Sequence, residues 1–139
     1  MALFSPRALL AAEDVVRIQV DALLESEDKP YGICQCFCFA SPSNRRVTGP
    51  IARFASMFDR PPYDVFLTSR KALVGSSHES GREARVVVTF VNDDELRVFQ
   101  FELSRQQEEP YQDCWMTDRV FDVTSGLVSS SAAAPPPLP

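Results

Sequence analysis

Histidine is nearly absent from this sequence, since His78 is the only one among 139 residues. Enzymes that abstract a proton most often use a histidine, commonly oriented by a carboxylate. His78 lies within residues 75–81, whose glycines and serines predict a mobile turn, and turns between strands project into solvent. We therefore expect a solvated histidine rather than a catalytic one.

Positive charge and long apolar runs are also scarce. Lysine and arginine number 14 against 19 aspartates and glutamates, which gives a formal net charge of −5. This balance disfavours nucleic-acid binding, which needs a basic face. It also disfavours electrostatic attraction to anionic membranes. No apolar run approaches the roughly 20 residues that a membrane-spanning helix needs. The sequence predicts no nucleic-acid or membrane partner and, because it lacks a phosphate-binding loop, a dinucleotide fingerprint and a zinc-protease motif, no cofactor.

What is present fits one small, soluble domain with an arm before it and a tail after it. We expect the arm at residues 1–12, the domain at 13–123, and a disordered tail rich in serine, alanine and proline at 124–139. The arm carries an arginine and a serine but no acid, as organelle transit peptides do. The predicted compartment is the cytoplasm, with the chloroplast or another organelle as the alternative.

Apolar residues at helical spacing predict three helices in the first half of the domain. The first covers residues 13–24, and Pro30 and Gly32 then indicate a break over residues 25–32. The second covers residues 33–40 and ends at the segment from Ser41 to Asn44. Thr48 is predicted to cap the third helix, whose apolar face is formed by residues 51, 54, 55 and 58.

After Pro62 the pattern changes from helical to alternating, which predicts strands. The predicted strands are residues 63–67, 71–74, 84–91, 96–103 and 114–123, with residues 92–94 forming a hairpin turn. Helices followed by an antiparallel meander are typical of an α+β fold in which the helices pack on one sheet face.

Four segments together resemble a family of uncharacterised plant, algal and bacterial domains within the cone-shaped superfamily typified by nuclear transport factor two. They are residues 37–50 (FCFASPSNRRVTGP), 51–57 (IARFASM), 61–63 (PPY) and 111–116 (YQDCWM). The resemblance covers residues 13–123 and implies N-terminal helices on a strongly curved antiparallel sheet. It also implies frequent dimerisation through the sheet and a ligand pocket between helices and sheet. The thiol-rich stretch from Cys34 to Cys38 departs from the family pattern.

The aromatic residues are too numerous to be solvated in a domain of this size, so most are expected in the core. The predicted core residues are Val16, Val20, Leu23, Phe37, Phe54, Phe58, Val88, Phe90, Phe99, Phe101 and Trp115. If the pocket implied by the resemblance exists, its predicted lining is Phe37, Phe54, Phe58, Phe99, Phe101, Trp115 and Asp118.

Asp118 is the one carboxylate that the sequence offers as a proton-abstracting base. It shares strand parity with Cys114, Met116 and Val120, which could face the interior of the cone and raise its pKa. The alternative is an exposed or hydrogen-bonded strand acid. We predict no catalytic residue.

Four cysteines suggest a metal site but do not fit one well. Cys34, Cys36 and Cys38 have no second cysteine or histidine pair to complete a tetrahedral site, and only Cys114 could add a fourth ligand. Free thiols that act as small buried apolar groups are the expectation, so no metal site is predicted.

Arg45 and Arg46 precede the predicted start of the third helix at Thr48. Free amides at a helix start attract anions, and two guanidinium groups beside them could complete a phosphate or carboxylate site. A solvated loop that pairs with surface acids is the alternative.

The strongest strand of the chain is apolar on both faces. One parity of residues 84–91 carries Val86, Val88 and Phe90, and the other carries Val87, Thr89 and Val91. Because helices cover only one face of the sheet, the second face predicts a homodimer. The alternative is that strong curvature of the sheet, or the tail, shields this face. The expected function is therefore binding of a small apolar ligand or a protein partner. The alternatives are a cofactor-free isomerase, dehydratase or cyclase, and an anion-binding regulator that uses Arg45 and Arg46.

Overall fold

A computed structural model describes residues 3–127 and has five helices followed by five antiparallel strands, which confirms the α+β prediction. The helices are α1 (Ala12–Glu25), α2 (Lys29–Cys38), α3 (Pro42–Thr48), α4 (Ile51–Ser56) and α5 (Val65–Thr68). The strands are β1 (Lys71–Val74), β2 (His78–Ser80), β3 (Glu83–Asn92), β4 (Glu95–Arg105) and β5 (Trp115–Asp122). Helix α1 contacts β1, β3 and β5, so the helices pack on one face of the sheet.

Helix α1 follows the predicted first helix closely. The Asp14 carboxylate caps the start of the helix, where it accepts a hydrogen bond of 3.0 Å from the Ala11 backbone N–H. Acids in a first turn also interact favourably with the helix dipole. The apolar residues at spacings of three and four are buried: Val16, Val20 and Leu23 are 0–1% exposed. This face forms the helical side of the core.

Helix α2 begins four residues before the predicted start at residue 33, so the predicted break over residues 25–32 is too long. The Asp28 side chain accepts a hydrogen bond from the Tyr31 N–H, and Pro30 occupies the first turn, where a missing N–H costs nothing. Gly32 lies inside the helix because α1 approaches there. A Cβ at Gly32 would lie 2.1 Å from the Ala22 carbonyl oxygen.

Gly32→Ala is expected to destabilise the domain, although alanine is the better helix former by about 1 kcal/mol. The added methyl group must push α1 and α2 apart, and overpacking of this kind costs about 1–3 kcal/mol. Urea unfolding measures the change, with Cys34→Ala on the same helix as the control. An unchanged or raised free energy of unfolding would contradict the close approach of the two helices.

Helix α3 occupies a segment that we predicted as a helix end and loop. The Ser41 hydroxyl accepts a hydrogen bond from the Asn44 N–H, and Pro42 takes the first helical position. The predicted cap at Thr48 is wrong, because Thr48 is the last residue of α3 and its hydroxyl donates to the Asn44 carbonyl oxygen at 3.0 Å. The helix predicted to follow is present as α4, which Pro50 precedes.

The predicted strand at residues 63–67 is wrong. Turns lead from Pro61 into the short helix α5, which places Phe66 in the core with 3% of its surface exposed. The Phe66 ring centroid lies 4.5 Å from that of Phe90 and 4.8 Å from that of Phe99. A helical turn buries the Phe66 ring. In an extended chain, Tyr63, Val65 and Leu67 would share one side and Phe66 would lie on the other.

The sheet has the order β1-β3-β4-β5. Strand β2 pairs with the first residues of β3, on the same edge of β3 as β1, which pairs with its last residues. Strand β1 matches its prediction, and Asp93 and Asp94 form the predicted hairpin turn between β3 and β4. The predicted mobile turn at residues 75–81 is too long, because His78–Ser80 forms β2. His78 is exposed, as expected for a solvated side chain.

A bulge interrupts the pairing of β4 with β5 between Glu102 and Leu103. It changes the parity of β5, so that Trp115 and Val120 both belong to the core although they are five residues apart. Beyond the bulge, the Thr117 hydroxyl donates a hydrogen bond of 2.6 Å to Gln19 of α1, and both side chains are buried. This bond fixes α1 against the sheet.

The predicted core is confirmed with one adjustment. Phe37 is only half-buried, whereas the other ten predicted core residues are buried. The predicted tail begins too early, because Thr124–Leu127 forms a 3-10 turn and the Val98 N–H donates to the Thr124 hydroxyl at 2.8 Å. The rest of the predicted tail, residues 128–139, lies outside the described residues.

Candidate functional site

The two faces of the sheet differ sharply along β3. Val86, Val88 and Phe90 are 0–1% exposed and form the inner face against the helices. Arg85 and Val87 are exposed on the opposite, outer face. Thr89 and Val91 continue that outer row and are half-buried. The alternation therefore separates a closed inner face from an outer face that none of the helices α1–α5 covers.

Strand register gathers apolar side chains on the outer face. Leu73 of β1 pairs with Thr89, Leu96 of β4 pairs with Val91, and Phe121 of β5 pairs with Gln100, which in turn pairs with Val87. We call this surface the outer patch; it consists of Leu73, Val87, Thr89, Val91, Leu96 and Phe121. Leu73 is 55% exposed, Val87 38% and Leu96 57%. Leu73 and Phe121 were not assigned to this surface from the sequence, although the alternation within each strand and the order of the strands together place them there.

Val98 shares the outer face but is only 4% exposed. The turn Thr124–Leu127 packs against this part of β4, and the Thr124 hydroxyl lies within hydrogen-bonding distance of both the Val98 N–H and its carbonyl oxygen. The turn thus covers one edge of the outer patch and leaves Leu96 and Val87 open.

Charged side chains lie on the same face beyond Val87, towards the bulge. Arg85 is exposed, and Arg119 Nε lies 3.4 Å from Glu102 Oε1. Exposed ion pairs of this type contribute about 0–1 kcal/mol to stability, so their main effect is to keep this end of the face hydrated. Exposed Lys71 of β1 pairs with Val91 at the opposite end, so the outer patch is an apolar centre with charged side chains at both ends.

The interior between helices and sheet is filled by side chains. Phe54 and Phe58 are each 5% exposed, with ring centroids 5.2 Å apart, and Phe99 and Phe101 are 0–2% exposed. Four surface cavities formed by the described residues include none of these four rings in their lining, nor Phe37 or Trp115. Trp115 and the four rings are buried in the core, and Phe37 is half-buried against it.

Asp118 is the remaining residue of that predicted set, and it lies elsewhere. It lines an open cleft of about 320 Å³ at the bulge, together with His78, Glu102 and Arg119. The cleft opens to solvent and is bordered by further charged side chains. The parity that the sequence pattern assigned to Asp118 fails at the bulge, because Asp118 is left out of the pairing there. Val120 pairs with Phe101 on the inner face, whereas Met116 pairs with Ser104 on the opposite parity.

An acid–base site requires an ionisable side chain in an enclosed apolar setting. Among residues 3–127, the buried polar side chains are all neutral: Gln19, Gln35, Ser41, Asn44, Thr48 and Thr117. Tyr63, half-buried at the edge of the aromatic cluster, has its pKa raised by burial and, to a smaller extent, by the Asp122 carboxylate. Asp122 is itself paired with Arg97. The described interior thus provides packing and neutral hydrogen bonds.

The cysteines are free thiols, in agreement with the prediction. Burial raises the pKa of the Cys36 thiol to about 12, so this group stays protonated at neutral pH. Cys34 and Cys38 are half-buried on the same helix, and burial also raises the pKa of Cys38. No group of three or more potential metal ligands occurs within the part of the chain that the structure describes.

Arg45 and Arg46 do not converge on one ligand position. Arg45 donates a hydrogen bond of 2.9 Å to the Cys38 carbonyl oxygen, and its guanidinium lies 5.2 Å from the Phe37 ring centroid and 5.6 Å from that of Tyr111. Arg46 is exposed, and Thr48 is buried with its hydroxyl bonded to Asn44. Arg45 joins the α2–α3 junction to the loop before β5 and has a structural role.

Comparison with known proteins gives no relative: no family model, no curated protein and no solved structure matches this chain. Within residues 3–127, no helix is both long and apolar enough to cross a membrane.

Proposed function

We propose that this protein is an association domain that forms a homodimer through the outer patch of its sheet. One observation carries the proposal: apolar side chains from four adjacent strands lie together on a sheet face that, within residues 3–127, none of the helices α1–α5 covers, and Leu73 and Leu96 are more than half exposed. Transfer of such a surface from water into an interface is favourable by about 25 cal/mol per Å². A second copy of this chain is the simplest binding partner, because a two-fold axis brings the outer patch of one copy into contact with the same patch of the other.

The filled interior supports association over a pocket function. A small-ligand domain or a cone-pocket isomerase needs internal volume, and here the aromatic rings of Phe54, Phe58 and Phe99 occupy it. The anion-binding alternative is weakened because Arg45 is committed to the Cys38 carbonyl oxygen. Within residues 3–127, the outer patch has no comparable internal partner apart from the turn beside Val98.

The order of elements is also consistent with the resemblance to the superfamily of nuclear transport factor two. Three or more helices before an antiparallel meander, with a bulge that bends β5, is the arrangement expected of a cone-shaped domain. We propose this relationship as the fold-level context of the dimer, and the dimer does not depend on it.

Sedimentation equilibrium of the full chain tests the proposal directly. At micromolar concentration we expect the mass of a dimer, twice the 15.5 kDa of one chain. A single-chain mass across the accessible concentration range would mean that the outer patch does not drive self-association. Native mass spectrometry of the same sample adds a second readout, because a retained small molecule would favour the ligand-binding alternative.

A further inference from the structure

A second surface feature lies on the helical layer, away from the sheet. The N-terminal arm is anchored there by Gln35 of α2, which is 3% exposed. The Phe4 N–H donates to Gln35 Oε1 at 2.7 Å, and Gln35 Nε2 donates to the Phe4 carbonyl oxygen at 2.9 Å. These two bonds hold the main chain of the arm beside α1 and α2. They leave the Phe4 ring 60% exposed.

Between the arm and the two helices lies a groove of about 820 Å³. Its apolar lining includes the Phe4 ring, Ile18 and Ala22 of α1, and the ring of Tyr31. Burial of an aromatic ring and an isoleucine is a strong contribution to binding at such a site. The volume falls within the range of about 300–1,000 Å³ that is usual for binding clefts.

The rim of this groove is acidic on one side. Asp21 and Glu25 lie one turn apart on α1, and Glu27 and Asp28 follow in the connection to α2. No lysine or arginine is among the described residues that line it. Lys29, which follows Asp28, is occupied elsewhere, since its ammonium group donates to the Leu23 and Leu24 carbonyl oxygens at 2.7 and 3.2 Å.

The carboxylates on the rim repel one another. Burial is the main cause that raises the pKa of Asp21, the Glu25 carboxylate adds to it, and Arg17 on the same helix offsets it in part. Asp28 is held in place because it caps α2. A cation that enters the rim would relieve this repulsion, and an apolar group beside it would fill the groove.

We propose that this groove binds a basic segment of a partner protein, one that presents an apolar side chain flanked by lysine or arginine. The apolar side chain lies against Phe4 and Ile18, and the flanking cations face Asp21 and Glu25. The groove and the outer patch are on opposite layers of the domain, so the proposal does not depend on the dimer.

Fluorescence anisotropy with a labelled peptide tests the proposal on the full chain. The probe has two leucines flanked on each side by two arginines, and a second probe replaces the leucines by serines. We expect saturable binding of the leucine probe and at least a tenfold loss with the serine probe. Asp21→Asn combined with Glu25→Gln is expected to weaken binding by about tenfold, the effect of two partly exposed charge pairs.

The matched control is Asp94→Asn combined with Glu95→Gln, which removes the same charge at the exposed hairpin turn. It should change the affinity less than twofold. Phe4→Ala should weaken binding without removing any charge, and its backbone bonds to Gln35 remain available. Equal losses from both charge variants, equal binding of both probes, or no saturable binding of the leucine probe would each overturn the proposal.

Discussion

Replacement of Val87 by glutamate is expected to turn the dimer into a monomer. Val87 is 38% exposed and pairs with Gln100 at the middle of the outer patch. In a two-fold interface the substitution buries two carboxylates without partners, and the effective penalty is several kcal/mol for each buried ion. The dimer dissociation constant should rise by about 100-fold or more, which sedimentation equilibrium measures.

Leu9→Glu is the matched control for this experiment. Leu9 is 98% exposed on the N-terminal arm, outside the outer patch, so the same gain of charge should leave the dimer intact. Both variants should unfold cooperatively, because neither side chain belongs to the core, and the Leu9→Glu dimer should keep the melting temperature of the wild type. A Val87→Glu protein that still sediments as a dimer would place the interface on another surface.

Phe66→Ala is expected to cost about 3–5 kcal/mol of unfolding free energy, the usual loss when a fully packed phenylalanine is removed from a core. The Phe66 ring lies 4.5–6.3 Å, centroid to centroid, from the rings of Phe58, Tyr63, Phe90, Phe99 and Phe101. It therefore joins the helical layer to the inner face of β3 and β4. The total free energy of unfolding of a domain is about 5–15 kcal/mol, so the variant should be close to unfolding at 37 °C.

Urea unfolding compares this variant with Phe4→Ala, which removes the same ring from a position that is 60% exposed. The Phe4 variant should lie within about 0.5 kcal/mol of the wild type, as surface substitutions usually do. If the two variants unfold at the same urea concentration, Phe66 is not the centre of the core and α5 is placed wrongly.

Long periodic segments were predictable from the sequence because local pattern and burial agree in them. Helix α1 and strands β3 and β4 each carry many apolar residues at one period, so their boundaries shift by only one or two residues. Helix α3 was missed although a local signal was present: serine followed by proline at Ser41 and Pro42 is a helix start. The pattern was interpreted as a loop because four polar residues follow it.

The segment from Tyr63 to Leu67 shows where sequence reasoning reaches its limit. Five residues are too few to separate an alternating pattern from a helical turn, and the burial of Phe66 depends on rings that are distant in sequence. The sequence predicts the apolar outer face at Val87 and Val91 and leaves cover by the tail as the alternative, but it does not indicate that this cover lies over Val98. The position of this cover depends on where residues 124–127 fold back onto β4. The spacing of apolar residues in the sequence does not predict that position.

The segment between α2 and α3 also protects one edge of the sheet from uncontrolled association. Ala40 forms a parallel bridge with Thr117, whose N–H donates to the Phe39 carbonyl oxygen while its carbonyl oxygen accepts from the Ser41 N–H. An incoming strand cannot extend a ladder along β5 past this point, because the main-chain groups there are already paired. Growth by strand addition would be open-ended, whereas contact between two faces stops at two chains. The bridge therefore favours a closed assembly over a fibre.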